Sequence, residues 1–177
     1  MKPDRSLWCF AGFALTSLGG TLLHFAYDWT NQNRLAALFS AVNESTWEHM
    51  KLLFFPLFFF ALMQSRFFRS YKNFWCIKSI GTFVGLGLIP VLFYTANGAF
   101  GKTPDWFNIT IFFITAAIVF LTENYLLRVH RPSRCTPRIA LTLICGIGIL
   151  FAVFTFFPPQ LPLFQDPITG TYGIPRN

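Results

Sequence analysis

Five apolar runs, each about 20 residues long, dominate the sequence, and a run of that length is what a helix needs to cross a bilayer. At 1.5 Å per residue, about 20 residues cover the ~30 Å hydrocarbon layer. Only a helix or a closed barrel satisfies its own backbone polar groups in lipid. The runs are 7–27, 47–63, 77–95, 106–127 and 139–157. They predict an all-α fold: a polytopic membrane helix bundle with five transmembrane helices. The expected organisation is a single integral membrane domain over 1–177, with a C-terminal tail at 158–177. Composition agrees where it decides something. Charged residues make up 12% of the chain, against roughly 25% in soluble domains. The 24 Phe fall in long runs that suit lipid rather than a small aqueous core. The formal charge of +7 is scattered over short loops, so the sequence excludes nucleic acid as a partner. The bilayer itself is the expected environment, with the protein a multi-pass component of the cell membrane.

Lys2 and Arg5 precede the first run as they would in a signal peptide. The apolar stretch is too long for one, and no Ala-x-Ala-like site follows, so it is expected to stay as a helix. Orientation follows from the short loops. Lys2, Arg5, Arg66, Arg69, Lys72, Lys78, Arg128, Arg131, Arg134 and Arg138 fall on one side. Arg34, Lys102 and Arg176 fall on the other, with Lys51 near that interface. Positive residues stay inside, which predicts a cytoplasmic N-terminus and an outer C-terminus. Tyr27, Trp29, Trp47, Tyr94 and Trp106 cluster at outer helix ends, with Trp8 and Trp75 at inner ends, as amphipathic rings prefer. Gly81 and Gly85 permit close helix packing within the bundle, and Pro56 should kink the second helix. Cys9, Cys76, Cys135 and Cys145 show no metal spacing and lie away from the outer loops, so four reduced or apolar thiols are expected.

Polar residues inside apolar helices are the informative ones. His24 and Asp28 are four apart and share a face of the first helix, with Ser17, Gly20 and Thr21 continuing it inward. Asn43, Glu44, Glu48, His49 and Lys51 open the second helix, Glu44 and Glu48 one turn apart. The topology sets both groups at the same outer depth. A plain capping reading covers Ser45 and Glu48, which spell a capping box, and Lys51 can snorkel or pair with Glu48. It leaves His24, Asp28, Glu44 and His49 unexplained. The sharper reading is a divalent metal site with His24, Asp28, Glu44, Glu48 and His49 as candidate ligands, since imidazole and carboxylate suit zinc, iron or manganese. Asp28, Asn43, Glu44 and Lys51 are the candidate ligand-binding residues. Glu48, His49 and His24 are the candidate acid–base groups, because crowded carboxylates near a low-dielectric boundary hold protons more tightly. Glu123 lies a membrane thickness away and is expected to pair with Arg128, Arg66 or Asn124. His130 sits in a basic loop and is expected at the surface. The tail is too apolar to float free and is expected on the outer face, as a lid or an interfacial anchor.

The string Asn43-Glu44-Ser45-Thr46-Trp47-Glu48-His49, with Pro56 after it, resembles a signature of small uncharacterised bacterial integral membrane proteins. The segment from His24 to Asp28 and the tail from Asp166 to Gly173 resemble other parts of that pattern. The resemblance implies membrane residence and no particular reaction. A binding or accessory membrane component, with another membrane protein as a candidate partner, therefore ranks first. The alternatives are a metal-dependent hydrolase of a lipid or peptide at the outer leaflet and a small carrier subunit. Whether the protein is an enzyme stays open at this point.

Overall fold

A computed structural model describes residues 3–129 and 135–174, in which five helices of 20 residues or more pack as a bundle. Lys2, His130, Arg131, Arg134 and Arg176, counted above for topology or exposure, lie outside the described residues. The long helices are α1 (Arg5–Trp29), α3 (Thr46–Ser65), α4 (Phe74–Phe100), α5 (Asp105–Val129) and α6 (Pro137–Phe156). A four-residue α2 (Arg34–Ala37) interrupts the first connection, and a 3-10 turn at Pro162–Phe164 follows α6. Each expected run is matched by one helix, extended by one to five residues at most ends where capping and interfacial residues continue the spiral. Asp4 caps α1 by accepting from the backbone N–H groups of Ser6 and Leu7. Helices α1, α4, α5 and α6 are long and apolar enough to cross a membrane.

The fifth long helix, α3, is the central stave. It packs against α1, α4 and α6, and 12 of its 20 residues are buried. A helix that is apolar all round is one surrounded by others. Met50, Leu53, Phe54 and Phe55 of α3 join Leu86 and Ile89 of α4, Ala116 of α5, and Ile144 and Phe151 of α6 in the main core. Helix α3 continues through Pro56 to Ser65. The outer helices present Leu15, Leu18, Leu22, Leu121, Leu143 and Ile149 outward, an apolar belt that water would not tolerate at this extent. Gly81 and Gly85 act within the bundle: a Cβ at Gly81 would lie 2.6 Å from Glu123 Oε1, and one at Gly85 would lie 2.8 Å from Val119. These two gaps let α4 and α5 touch.

Connections alternate, so all chain reversals fall at two ends. One carries Arg5, Arg66, Arg69, Lys72, Arg128 and Arg138 and is the basic end. The other carries the start of α3 and the tail.

Two expectations about the basic end need correction. Lys78 is not a loop charge. It is fully buried and ion-paired with Glu123 at 2.5 Å, so Lys78, rather than Arg128, Arg66 or Asn124, is the partner of Glu123. The antiparallel packing of α4 on α5 brings the first turns of one beside the last turns of the other. The rings of Phe60, Phe74 and Phe120 surround the ammonium at 5.5–5.6 Å. Cys76 and Cys135 are not free thiols: they form a disulfide, with Cα atoms 6.0 Å apart. A separation of 59 residues hides the pairing in the sequence, but α4 and α6 begin side by side. Cys9 and Cys145 are free.

Candidate functional site

The residues that open α3 divide into two groups, because the helix begins at Thr46 and Glu44 lies outside it. Ser45 is the N-cap, its hydroxyl accepting from the Glu48 N–H at 3.4 Å. Glu44 and Glu48 therefore do not share a helix face. The capping box is also incomplete: the Ser45 N–H donates to Asn43 Oδ1 at 2.9 Å, and the Glu48 carboxylate reaches further back.

The first group faces outward. Helix α1 brings His24, the pre-helix turn brings Glu44, and the first turn of α3 brings His49. His49 Nε2 is 3.4 Å from Glu44 Oε2, and His24 Nε2 is 3.9 Å from the same oxygen. The imidazoles meet edge to face, with centroids 5.4 Å apart. One ligand atom from each residue can be chosen so that all lie within 4.8 Å of one another, a spacing that could hold a metal ion. The three side chains are 32–40% exposed, so the position between them is reachable from outside.

His49 adds a constraint. Its Nδ1 lies 3.0 Å from the Ser45 carbonyl, which can only accept, so Nδ1 carries a hydrogen. In the neutral ring, Nε2 then presents a lone pair toward the Glu44 carboxylate. Two electron-rich atoms at 3.4 Å call for a positive charge between them, either a proton on the ring or a metal cation. A carbonyl that fixes the tautomer of an imidazole is a common outer contact of histidine ligands.

The second group is buried. The Lys51 ammonium is fully enclosed and uses all three of its N–H bonds: to Glu48 Oε2 at 2.6 Å, the Ala37 carbonyl at 2.8 Å and Thr155 Oγ1 at 2.7 Å. The Thr155 hydroxyl donates onward to Glu48 Oε1 at 3.1 Å or to the Phe151 carbonyl at 2.9 Å. Glu48 Oε2 also accepts from the Val42 N–H at 3.1 Å. One ion pair thus ties the 37–45 connection to α3 and α6. Lys51 pairs inward instead of snorkelling.

The remaining expected residues are placed as follows. Asp28 is exposed one turn beyond His24 and stands outside the three-residue cluster. Asn43 is buried and donates to the Gly173 carbonyl at 2.9 Å, pinning the tail to the loop that carries Glu44. The tail is an ordered strap: Phe164 is buried against Trp47 with centroids 4.7 Å apart, and the Tyr94 hydroxyl donates to the Pro162 carbonyl at 3.2 Å. Sequence reasoning missed Thr155 and the Ala37 carbonyl. Thr155 had one signal, as a lone hydroxyl in the last two turns of an otherwise apolar helix. The Ala37 carbonyl had none.

A family model matches residues 1–174, and its description is a family of unknown function, DUF6512. No curated protein and no solved structure matches the chain.

Proposed function

We propose, for a chain that belongs to this family of unknown function, that it is a multi-pass membrane protein binding a divalent transition metal at its extracytoplasmic interface. In this reading all five long helices span the cell membrane. The basic end faces the cytoplasm under the positive-inside rule. His24 Nε2, a Glu44 carboxylate oxygen and His49 Nε2 are the ligands. One observation carries the proposal: His49 Nδ1 is committed to the Ser45 carbonyl, which leaves Nε2 as the ring nitrogen that faces Glu44 Oε2 beside His24. Two imidazoles and one carboxylate suit zinc and neighbouring transition metals better than calcium or magnesium, which prefer all-oxygen shells.

A binding or accessory role is favoured over a complete enzyme. Glu48, one of the three acid–base candidates in the sequence, is consumed by Val42, Lys51 and Thr155. The second reading, metal-assisted hydrolysis of a lipid or peptide, is supported by one feature. Three protein ligands leave a tetrahedral ion one open position, as catalytic zinc sites do.

The test is titration of the detergent-solubilised, metal-stripped protein with Zn²⁺ by calorimetry, and with Co²⁺ by visible absorption. One ion per chain, with loss of at least tenfold in affinity in His24→Ala and His49→Ala, is expected. If Zn²⁺ and Co²⁺ fail to bind, the positive charge beside Glu44 is a proton and the metal reading falls.

A further inference from the structure

The Cys76–Cys135 disulfide lies at the basic end, which the orientation proposed above turns toward the reducing cytoplasm. Permanent structural disulfides belong to oxidising compartments, and cytosolic ones are usually transient or redox-sensing. We infer that this bond is a reversible clasp between α4 and α6, opened and closed by thiol–disulfide exchange on the cytoplasmic side.

Three features of the site suit that chemistry. Access is asymmetric: Cys76 is 1% exposed, whereas Cys135 is exposed, so an incoming thiolate approaches from the Cys135 side. The leaving sulfur is then Cys76, the third residue of α4. A helix N-terminus stabilises a thiolate through its unpaired N–H groups, and a stabilised thiolate leaves faster. Cations also flank both residues in sequence, with Lys72 four before Cys76 and Arg138 three after Cys135. A cation close to a sulfur favours its thiolate.

The step balances with a dithiol reductant of the thioredoxin class. One of its thiolates attacks Cys135 Sγ, and the S–S electron pair departs with Cys76 Sγ. The second thiolate attacks the mixed disulfide on the reductant's own sulfur and releases Cys135. The two dithiol protons end on Cys76 and Cys135, and the reductant leaves as a disulfide. Glutathione disulfide drives the reverse, becoming two glutathione thiols. Opening the clasp frees Cys135, just before α6, from α4. It leaves α6 held by packing and, at its far end, by the hydrogen bonds of Thr155 with Lys51 and Glu48.

The experiment traps thiols in cells producing the full chain, in a Cys9→Ser/Cys145→Ser background. Cells are acid-quenched and labelled with a heavy maleimide, before and after a pulse of diamide. Purified protein in lipid nanodiscs is equilibrated in parallel with graded glutathione buffers. Labelling of both thiols in growing cells, protection of both after diamide and recovery within minutes are expected. The nanodisc titration should show half-opening within the range of cytosolic glutathione ratios. A bond that stays closed in growing cells and at every glutathione ratio overturns the inference, as do thiols that never close. An impermeant phosphine added to intact diamide-treated cells should not open the bond. If it does, the basic end faces outward and the clasp proposal falls with the orientation. That outcome would also turn the other end toward the cytoplasm, but it leaves metal titration there unaffected, so metal binding and the clasp fail separately.

Discussion

Replacing Lys51 by Met tests whether the Glu48–Lys51 pair organises the site end of the bundle. The substitution keeps length and most volume while removing the charge. Lys51 is 0% and Glu48 2% exposed, and no solvent can take over the stranded carboxylate. Removing one partner of a buried ion pair costs about 3–5 kcal/mol, since the surviving charge stays desolvated. The Val42 N–H and the Thr155 hydroxyl still reach Glu48, so the lower half of that range is expected. At roughly 2–4 °C per kcal/mol for a chain of this size, Lys51→Met should lower Tm by on the order of 10 °C. Glu48→Gln should destabilise similarly, because it leaves the ammonium facing a neutral amide. The double variant Lys51→Met/Glu48→Gln should recover part of the loss, since no unpaired charge remains. Thermal unfolding in one detergent, followed by tryptophan fluorescence and by size-exclusion of heated samples, measures all three. A nearly silent Glu48→Gln would refute the reasoning, because a side chain acting only as a cap tolerates Gln.

Three further outcomes are expected. Metal affinity should survive Asp28→Asn but not His49→Ala, and should fall on acidification as protons compete for the imidazoles; calorimetry over a pH series reads both. Thr155→Val should cost about 1–3 kcal/mol by stranding a Lys51 N–H and a Glu48 oxygen, and a Tm within error of wild type would count against the network. Gly81→Val should place a branched side chain against Glu123 and α5, costing about 1–3 kcal/mol in thermal unfolding, whereas the same change at Gly87, with open space around it, should cost much less.

The helices were legible because a run long and apolar enough to cross a membrane carries its length and composition in one dimension. The convergence of His24, Glu44 and His49 was partly legible, since topology alone set the end of α1 and the start of α3 at one depth. What the sequence concealed was depth of burial along α3. Glu48 and His49 are adjacent, yet one turns into the bundle and the other out, and nothing in the string says which face α6 will cover. The first turn misled as well: Glu44 reads as helical by spacing but precedes the cap at Ser45. Lys78 reads as a loop charge because it sits close to the end of its run, where one turn of extra helix separates water from core. The disulfide was invisible for a different reason, as Cys76 and Cys135 meet only once the packing order of α4 and α6 is known.

The strap and the ion pair also dictate an order of biogenesis. Lys51 and Glu48 are synthesised more than 100 residues before Thr155, and Asn43 emerges 130 residues before the Gly173 carbonyl that receives it. In the five-span reading proposed for this chain, α3 therefore enters the bilayer during translation carrying a cation and an anion whose polar cage is unfinished. The pair can neutralise itself at once, being one turn apart, but its third strut arrives only with α6. The loop bearing Glu44 is thus locked last, after the final helix has been inserted. Chains that terminate before α6 should insert their early helices yet present an open site end to the cell's membrane proteases.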